Sequence, residues 1–236
     1  MKRRGILLML LMIVFGAAAA AEPARIDLAF DVLRKDSPMG SHTISVRRDG
    51  ANIIAEIAID LKIKFAFVTL FEYAHRNREV WRDNRLVSID TTTNNDGKLF
   101  RITGRADAEG FRVTDGDGIE RVFEPGVLPT SYWHPRTPEA TQLLNTQTGE
   151  LAQVSITPAS ADPATAPGRQ YVVSGDLDLN LWYLDGCLQK LNFRAPSDNS
   201  LIDYRRAAPP GAADRTCPAQ LLEPVTMAAG VADKLR

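Results

Sequence analysis

Residues 53–82 have the sequence IIAEIAIDLKIKFAFVTLFEYAHRNREVWR, and this stretch decides the fold. Its odd positions from Ile53 to Phe67 are apolar, while its even positions include Glu56, Asp60 and Lys64. Alternation with a period of two predicts a strand with one buried face and one wet face. This first half of the stretch is therefore interpreted as plain core.

A second strand is predicted at 71–82, after a short break at 68–70. Its inward face mixes aromatic and polar side chains, in the order Phe71, Tyr73, His75, Asn77, Glu79 and Trp81. Side chains at i and i+2 lie about 6.6 Å apart on a strand, so their tips are able to converge on one ligand. Any binding role is predicted to lie here first.

The rest of the chain continues the pattern of strands and tight turns. Turn pairs rich in Asp, Asn and Gly recur at short intervals, as in Asp49-Gly50, Asp83-Asn84, Asp96-Gly97, Glu109-Gly110, Asp117-Gly118, Thr148-Gly149 and Asp185-Gly186. Such pairs favour hairpins, because they tolerate positive φ. Strands are predicted at 25–34, 41–48, 51–67, 71–82, 85–94, 97–105, 110–115, 119–124, 150–157, 170–184, 187–194 and 200–206. The sequence predicts an all-β, mainly antiparallel meander with little helix.

A proline-rich crossing at residues 124–145 interrupts the strands. Thr137, Pro138 and Glu139 resemble the first turn of a helix, which is predicted to run from Pro138 to Leu144. A flat sheet of this size would expose its apolar face. The sheet is therefore expected to curve into a half-barrel or barrel, or to fold into two packed layers, with the crossing as a lid.

The N-terminus predicts export. Lys2, Arg3 and Arg4 precede an apolar run at 6–15, and alanines at 17–21 offer a cleavage site near Ala20 or Ala21. A retained N-terminal anchor is the alternative, and no other segment is apolar for long enough to span a bilayer. The predicted organisation is a signal peptide at 1–21, one β domain at 22–206 and an extended tail at 207–236, located in the periplasm or secreted.

Charge argues against a nucleic-acid partner. The full chain has a formal net charge of −1, and cleavage after Ala21 would remove three cations and no acids, which leaves −4. A mildly acidic protein lacks the basic footprint of nucleic-acid binding. Strong electrostatic attraction to anionic lipid surfaces is not expected either.

The two cysteines, Cys187 and Cys217, predict one disulfide in an oxidising compartment. Closing a loop of about 30 residues would stabilise the fold by about 3 kcal/mol in the chain-entropy model. A metal or redox pair is the alternative, but the cysteines lack C-x-x-C spacing and a nearby histidine.

The polar row of His75, Asn77 and Glu79 has two interpretations. It either forms a polar patch in an aromatic cavity that binds an amphipathic molecule, or it lies at a solvated rim or is satisfied by cross-strand partners. Trp133 and the other tryptophans are expected to form core or cavity walls. His134 is either a gate or general base, or a packed loop residue, and His42 is expected to be exposed.

No catalytic motif is present. The sequence contains no G-x-S-x-G, H-E-x-x-H, P-loop or G-x-G-x-x-G pattern, so no catalytic residue, cofactor or metal site is assigned. The Asp115–Glu120 turn is acidic, but it is too short for an EF-hand and lacks that motif's bidentate glutamate, so a plain hairpin turn is preferred.

Spaced aromatic and turn residues resemble a family of exported bacterial proteins of unknown function. The marks of this resemblance are Phe30-Asp31-Val32 with Gly40, Tyr73–Trp81 with Arg85-Leu86, Thr92–Gly97, Pro129-Thr130-Ser131-Tyr132-Trp133, Leu181-Trp182-Tyr183 with Gly186 and Leu188, and Ile202-Asp203-Tyr204. More distantly the layout resembles the outer-membrane lipoprotein carriers, which implies an unclosed barrel around an apolar cavity. The low helix content departs from those carriers.

Three functions remain open at this point. The first is a non-catalytic periplasmic protein that binds a hydrophobic or amphipathic, lipid-like ligand on the curved sheet between Ile57 and Trp81. The second is a structural protein with a solid core that interacts with an envelope protein. The third is a hydrolase-type enzyme that uses His75 or His134.

Overall fold

A computed structural model describes residues 25–160, 167–207 and 217–222. Within them the chain forms fifteen strands: β1 (Arg25–Arg34), β2 (Ser37–Asp49), β3 (Asn52–Phe65), β4 (Val68–Arg82), β5 (Arg85–Asn95), β6 (Lys98–Ala106), β7 (Phe111–Asp115), β8 (Glu120–Phe123), β9 (Leu128–Pro129), β10 (Gln142–Leu144), β11 (Leu151–Ala159), β12 (Arg169–Gly175), β13 (Leu179–Leu184), β14 (Cys187–Arg194) and β15 (Leu201–Arg206). Helix is confined to a 3₁₀ turn at Thr137–Glu139 and to α1 (Ala219–Leu222). The all-β prediction is confirmed.

All fifteen strands belong to one sheet, in the order β8-β7-β6-β5-β4-β3-β2-β1-β15-β14-β13-β12-β11-β10-β9. The pairs are antiparallel except for β9 and β10, which are parallel. The pairing of β1 with β15 joins the two halves of the meander. The sheet is curved and barrel-like, as expected. It is not closed, because β8 and β9 lie at the two ends of this order.

Antiparallel meanders place alternate turns at the same end of the sheet. The open end is defined here by the turns at 35–36, 66–67 and 96–97 together with the loop at 195–200. The plugged end is defined by the turns at 50–51, 83–84 and 107–110. These two ends differ in what covers them, and that difference positions the candidate site.

The proline-rich crossing closes the plugged end from inside. Its Trp133 and His134 are almost completely buried. The His134 ring stacks on Trp81 of β4 at a centroid distance of 4.6 Å, and its Nε2 hydrogen-bonds Oδ1 of Asn84 in the β4–β5 turn at 2.8 Å. The crossing is thus a plug packed into the sheet, and His134 is a packed loop residue.

The predicted helix from Pro138 to Leu144 is wrong. After the 3₁₀ turn, Ala140 is already extended, with ψ of 141°, and Gln142–Leu144 forms β10. Leu143 and Leu144 are both fully buried between β9 and β11. Strand pairing and burial of two adjacent leucines override the local helix-start signal.

Two strand boundaries also differ from prediction. The predicted strand at 170–184 is two strands, because Gly175 takes a φ of 116° and a Cβ there would lie 2.5 Å from the carbonyl oxygen of Gln153. The predicted break at 68–70 is strand, and the turn falls at Ala66-Phe67. Phe67 is consequently fully exposed, not part of the core.

The core lines the concave face of the sheet. Its inward residues on β1 and β2 include Leu28, Phe30, Val32, Ile44 and Val46, all almost fully buried. The alternation on β3 is confirmed in the structure, since its charged even positions are exposed while Ile53, Ala55 and Ile57 are buried. A single apolar face therefore runs around the barrel interior.

The predicted disulfide between Cys187 and Cys217 is present, with a Cα–Cα distance of 5.5 Å. It attaches residues 217–222 to β14, and α1 then packs on β2 with Leu221 buried. A side-chain nitrogen of Arg48 donates a hydrogen bond to the Leu221 carbonyl. The predicted signal peptide and most of the predicted tail lie outside the described residues.

Candidate functional site

The polar row on β4 faces the barrel interior. His75 and Asn77 are 3 % exposed and Glu79 is 0 % exposed. The interpretation of this row as a solvated rim is therefore wrong, because the inward parity of β4 keeps it away from water. Side-chain partners satisfy most of its polar atoms, and the row divides into two parts with different surroundings.

Glu79 is the centre of the first part. Its Oε1 accepts a hydrogen bond from Nδ2 of Asn77 at 2.8 Å, and its Oε2 accepts bonds from the indole nitrogens of Trp81 at 2.9 Å and Trp133 at 2.8 Å. Burial raises the pKa of Glu79, and these donors oppose the rise by favouring the carboxylate. The carboxyl group ties the crossing to the sheet.

His75 belongs to the second part. Its Nδ1 hydrogen-bonds Oγ1 of Thr93 at 2.7 Å, and its Nε2 lies 3.4 Å from Oγ1 of Thr146. Burial, with a smaller effect from the Arg76 charge, lowers the pKa of His75 to about 4. The ring is therefore neutral at pH 7.

His42 is a second neutral histidine beside the first. It lies on β2 between the rings of Phe30 and Tyr204, with centroid distances of 5.5 and 5.7 Å, and is buried. Burial, followed by the charge of His75, lowers the pKa of His42 to about 3. Its Nε2 has no hydrogen-bond partner among the described residues. The expectation that His42 is exposed is wrong.

An inner cavity of about 230 Å³ contains both histidines on its wall. The crossing and the segment after it contribute Thr130, Ser131, Tyr132, Thr146 and Gln147 to the lining. Oγ of Ser131 is buried beside the Glu79 carboxyl group, and its hydroxyl is one of the donors that oppose the rise in the pKa of Glu79. No Lys, Arg, Asp or Glu lines this cavity, and its uncharged wall combines these polar groups with the apolar side chains Ile57, Ile59, Leu177, Leu179, Leu191 and Phe193.

An apolar cavity of about 760 Å³ lies at the open end. Its apolar wall comprises Met39, Ile59, Leu61, Ile63, Leu70, Phe71, Tyr73, Phe193, Ala195, Pro196, Ile202 and Tyr204. Ile59, Tyr73, Phe193 and Tyr204 also line the inner cavity, so the two cavities share a wall. The volume lies within the roughly 300–1,000 Å³ that is usual for ligand pockets.

Arg34 is the one charged residue in the lining of the apolar cavity. It does not offer a free charge, because its guanidinium lies 2.7 Å from the carboxylate of Asp198 and also donates to Oγ of Ser200. From the open end inward, a ligand would meet an apolar wall first and then a cavity lined by both apolar side chains and neutral hydrogen-bonding groups.

A family model described as a domain of unknown function, DUF6134, matches residues 30–207. The chain belongs to the DUF6134 family. Its membership confirms the expected resemblance to an uncharacterised family.

Among solved structures, the DUF6134 chain is similar to a beta-barrel-like protein of the domain of unknown function DUF1849 from Brucella abortus. The match has a TM-score of 0.49 and 8 % identity, and it covers 78 % of this chain and 95 % of the other. No protein with a curated description matches the chain. The distant resemblance to outer-membrane lipoprotein carriers is not confirmed.

The predicted site residues of this DUF6134 chain separate into two places. Phe71, Tyr73 and His75 line the cavities. The other four, Asn77, Glu79, Trp81 and Trp133, form the hydrogen-bonded cluster toward the plugged end. One strand therefore contributes both a cavity wall and a structural clamp.

Sequence reasoning missed the walls contributed by other strands. His42 shares the parity of Ile44 and Val46, so the period-two rule applied to β2 would have placed it inside. The approach of Ser131, Gln147, Phe193 and Tyr204 to β4 has no such local signal, since it depends on the curvature of the whole sheet and on the path of the crossing. Among the described residues no group of three or more His, Cys, Asp or Glu is placed to hold a metal ion. No described helix is long and apolar enough to cross a membrane.

Proposed function

We propose that the protein is a non-catalytic binding protein that holds an amphipathic, lipid-like molecule inside its sheet. The observation that carries this proposal is the pair of cavities that share Ile59, Tyr73, Phe193 and Tyr204. An apolar chain would occupy the 760 Å³ cavity at the open end. A polar head would occupy the inner cavity, where His42 Nε2 lacks a hydrogen-bond partner among the described residues.

The chemistry of the inner cavity selects the head group. Burying a charge without a partner is costly, and no charged side chain lines the inner cavity. His42 and His75 are neutral at pH 7, because burial holds the pKa of each at about 3 and about 4. We therefore favour a neutral, hydrogen-bonding head such as a glyceryl ester or an amide over a carboxylate or phosphate.

The proposed compartment is the periplasm, after export and cleavage near Ala20 or Ala21. The N-terminal pattern of cations, apolar run and alanines supports export. The Cys187–Cys217 disulfide also fits an oxidising compartment. Sequencing the N-terminus of the protein from its native host tests the cleavage site, and a retained Met1 would contradict it.

Binding of N-phenyl-1-naphthylamine, a neutral apolar fluorophore, tests the cavity. Wild-type protein is expected to bind the probe, and Ile59→Trp is expected to weaken binding by at least about tenfold, since the larger ring enters the wall shared by both cavities. Val122→Trp, on the edge strand β8, adds the same ring away from these cavities and should not change affinity. No probe binding, or equal affinity in both variants, would contradict the proposal.

Native purification identifies the ligand. Protein taken from its own host under detergent-free conditions should carry a co-purifying small molecule detectable by mass spectrometry after organic extraction. The Ile59→Trp variant should carry less of it. The competing function, an interaction protein of the envelope, would instead give a crosslinked protein partner and no extractable lipid.

A further inference from the structure

The tip of the β3–β4 hairpin extends beyond the last pairs that the hairpin forms with its neighbouring strands. Pairing of β2 with β3 ends at Gly40 and Leu61, and pairing of β4 with β5 ends at Tyr73 and Asn95. The two hairpin strands nevertheless continue through four further pairs, Lys62–Glu72, Ile63–Phe71, Lys64–Thr69 and Phe65–Val68. Four pairs at about 3.3 Å rise carry the hairpin about 13 Å past the last pairs with its neighbours. On one side β2 continues from Gly40 to Ser37, but there it pairs with β1 and not with β3.

The hairpin tip, defined as residues 66–70, is exposed and is apolar except for Thr69. Phe67 is fully exposed, and Val68 and Leu70 are both 59 % exposed. Every other described hairpin turn contains Asp, Asn or Gly, whereas this one is Ala66-Phe67. Ala66 even takes a φ of 52° without being glycine. Scattered apolar residues on a surface are ordinary, but a contiguous apolar tip marks an interaction site.

The hairpin tip is continuous with the mouth of the apolar cavity. Leu70 belongs to the tip and also lines that cavity, together with Ile63 and Phe71 from the projecting strands. Apolar side chains therefore follow the hairpin from Phe67 and Val68 through Leu70 to Phe71 on the cavity wall. A molecule that leaves an apolar phase at the tip would not have to cross water to reach the cavity.

We propose that the hairpin tip docks the protein onto a lipid bilayer surface, with the mouth of the apolar cavity turned toward it. The choice of a bilayer as the source of the ligand rests on the proposed lipid-like ligand, while docking itself depends on the tip alone. Phe67 and Val68 enter the boundary between headgroups and acyl chains. Lys62 and Lys64 remain at the headgroup level, as long cationic side chains do at such interfaces.

The shape of the hairpin tip favours a bilayer over a protein partner. A stable protein interface buries about 800 Å² on each partner, which a narrow two-stranded projection cannot provide by itself. Insertion into a bilayer needs no complementary surface. The free edges of the projecting strands also limit its depth, because unpaired backbone groups are not tolerated in the hydrocarbon core.

Sedimentation with vesicles tests docking on the full chain. Wild-type protein should co-sediment with phosphatidylcholine vesicles, and the double variant Phe67→Ser, Val68→Ser should bind at least about tenfold more weakly. Neither residue lines the two cavities described above. Leu99→Ser is the matched control, since Leu99 is 76 % exposed near the β5–β6 turn of the same open end and should not affect binding.

The tryptophan fluorescence of a Phe67→Trp variant reports directly whether the hairpin tip inserts into the bilayer. The native tryptophans Trp81, Trp133 and Trp182 are at most 2 % exposed, so their emission should not change on docking. The added indole should shift its emission to shorter wavelength with vesicles and be quenched by brominated acyl chains. No shift and no quenching would overturn the proposal.

The failure of docking and the failure of the binding function can be told apart. If wild type and Ile59→Trp both bind vesicles but wild type binds no naphthylamine probe, the proposed binding function of the cavity is overturned and docking is retained. Probe binding with no vesicle binding, or with vesicle binding that the double variant does not weaken, would overturn docking alone. A wild-type dimer that the double variant converts to monomer, without vesicle binding, would assign the tip to a second copy.

Discussion

The indole nitrogen of Trp133 donates a 2.8 Å hydrogen bond to Oε2 of Glu79, across 54 positions of the chain. Trp81 donates to the same oxygen from within β4. The two indole rings meet edge to face at 5.5 Å, so the carboxylate and both rings form one packed unit. Glu79 thereby holds the proline-rich crossing inside the plugged end, and we assign it a structural role.

Glu79→Ala is expected to destabilise the protein by about 3 kcal/mol or more, because it leaves three buried N–H donors without an acceptor. Urea denaturation measures the change in the free energy of unfolding. Glu72→Ala is the control, since Glu72 is on the wet face of the same strand and pairs with Lys62. Its effect should be about 0–1 kcal/mol. Equal effects of the two variants would contradict the clamp.

Glu79→Gln should cost less than Glu79→Ala. The amide oxygen of the new side chain can still accept from both indoles. Oδ1 of Asn77 has no hydrogen-bond partner among the described residues. If the Asn77 amide group flips by 180°, this oxygen can accept a hydrogen bond from the NH₂ group of the new glutamine. Urea denaturation is expected to place Glu79→Gln between wild type and Glu79→Ala, and a Gln variant as unstable as the Ala variant would contradict this network.

Stability should fall as the pH falls below about 6.5. Burial lowers the pKa of His42 to about 3 and that of His75 and His134 to about 4, against 6.5 in the unfolded chain. The folded state therefore binds fewer protons in this window, and stability present above pH 6.5 is lost toward pH 4. The raised pKa of Glu79 acts in the opposite direction, but one carboxyl opposes three histidines.

His42→Phe tests this pH dependence, because phenylalanine retains the ring contacts with Phe30 and Tyr204 but cannot take up a proton. The plot of unfolding free energy against pH should become shallower by up to about 1.4 kcal/mol per pH unit between pH 6.5 and 4. Urea denaturation at several pH values gives both slopes. Parallel profiles for wild type and variant would show that His42 is not a buried neutral group.

Head-group recognition should also depend on His42. His42 lines the inner cavity, and its buried Nε2 has no hydrogen-bond partner among the described residues. His42→Phe should therefore weaken binding of 1-monolauroylglycerol by about threefold to tenfold. Displacement of N-phenyl-1-naphthylamine measures this affinity. Affinity for the probe itself should be unchanged, since the probe occupies the apolar cavity. Wild-type preference for laurate over the monoglyceride would contradict an uncharged head.

Removing the disulfide should destabilise the fold by about 3 kcal/mol, because Cys187 and Cys217 close a loop with a separation of 30 residues. The double variant Cys187→Ala, Cys217→Ala and the reduced wild type should show the same loss in urea denaturation. Naphthylamine binding should persist in both, since neither cysteine lines the two cavities. Loss of probe binding without loss of stability would contradict this separation.

Residues with a strong local signal were predicted well. The alternation from Ile53 to Ile63 and the inward row from Phe71 to Trp81 follow from parity alone. The turn pairs with Asp or Gly mark observed turns, although the one predicted at Asp49-Gly50 lies one residue later. Phe67 was misplaced because alternation cannot show where neighbouring strands stop. The helix predicted from Pro138 to Leu144 failed because strand pairing outweighs a local helix-start signal.

The sequence by itself determined the all-β meander, the Cys187–Cys217 pair and the inward face of β4, since each depends on periodicity or composition within short reach. Only the tertiary structure decided what that face encloses. Curvature of the fifteen-stranded sheet and the folding of the crossing into it bring His42, Ser131 and Tyr204 near His75, and they bring Trp133 to Glu79. The exposure of Phe67 was decided in the same way, because it depends on where the pairing of β3 and β4 with their neighbours stops.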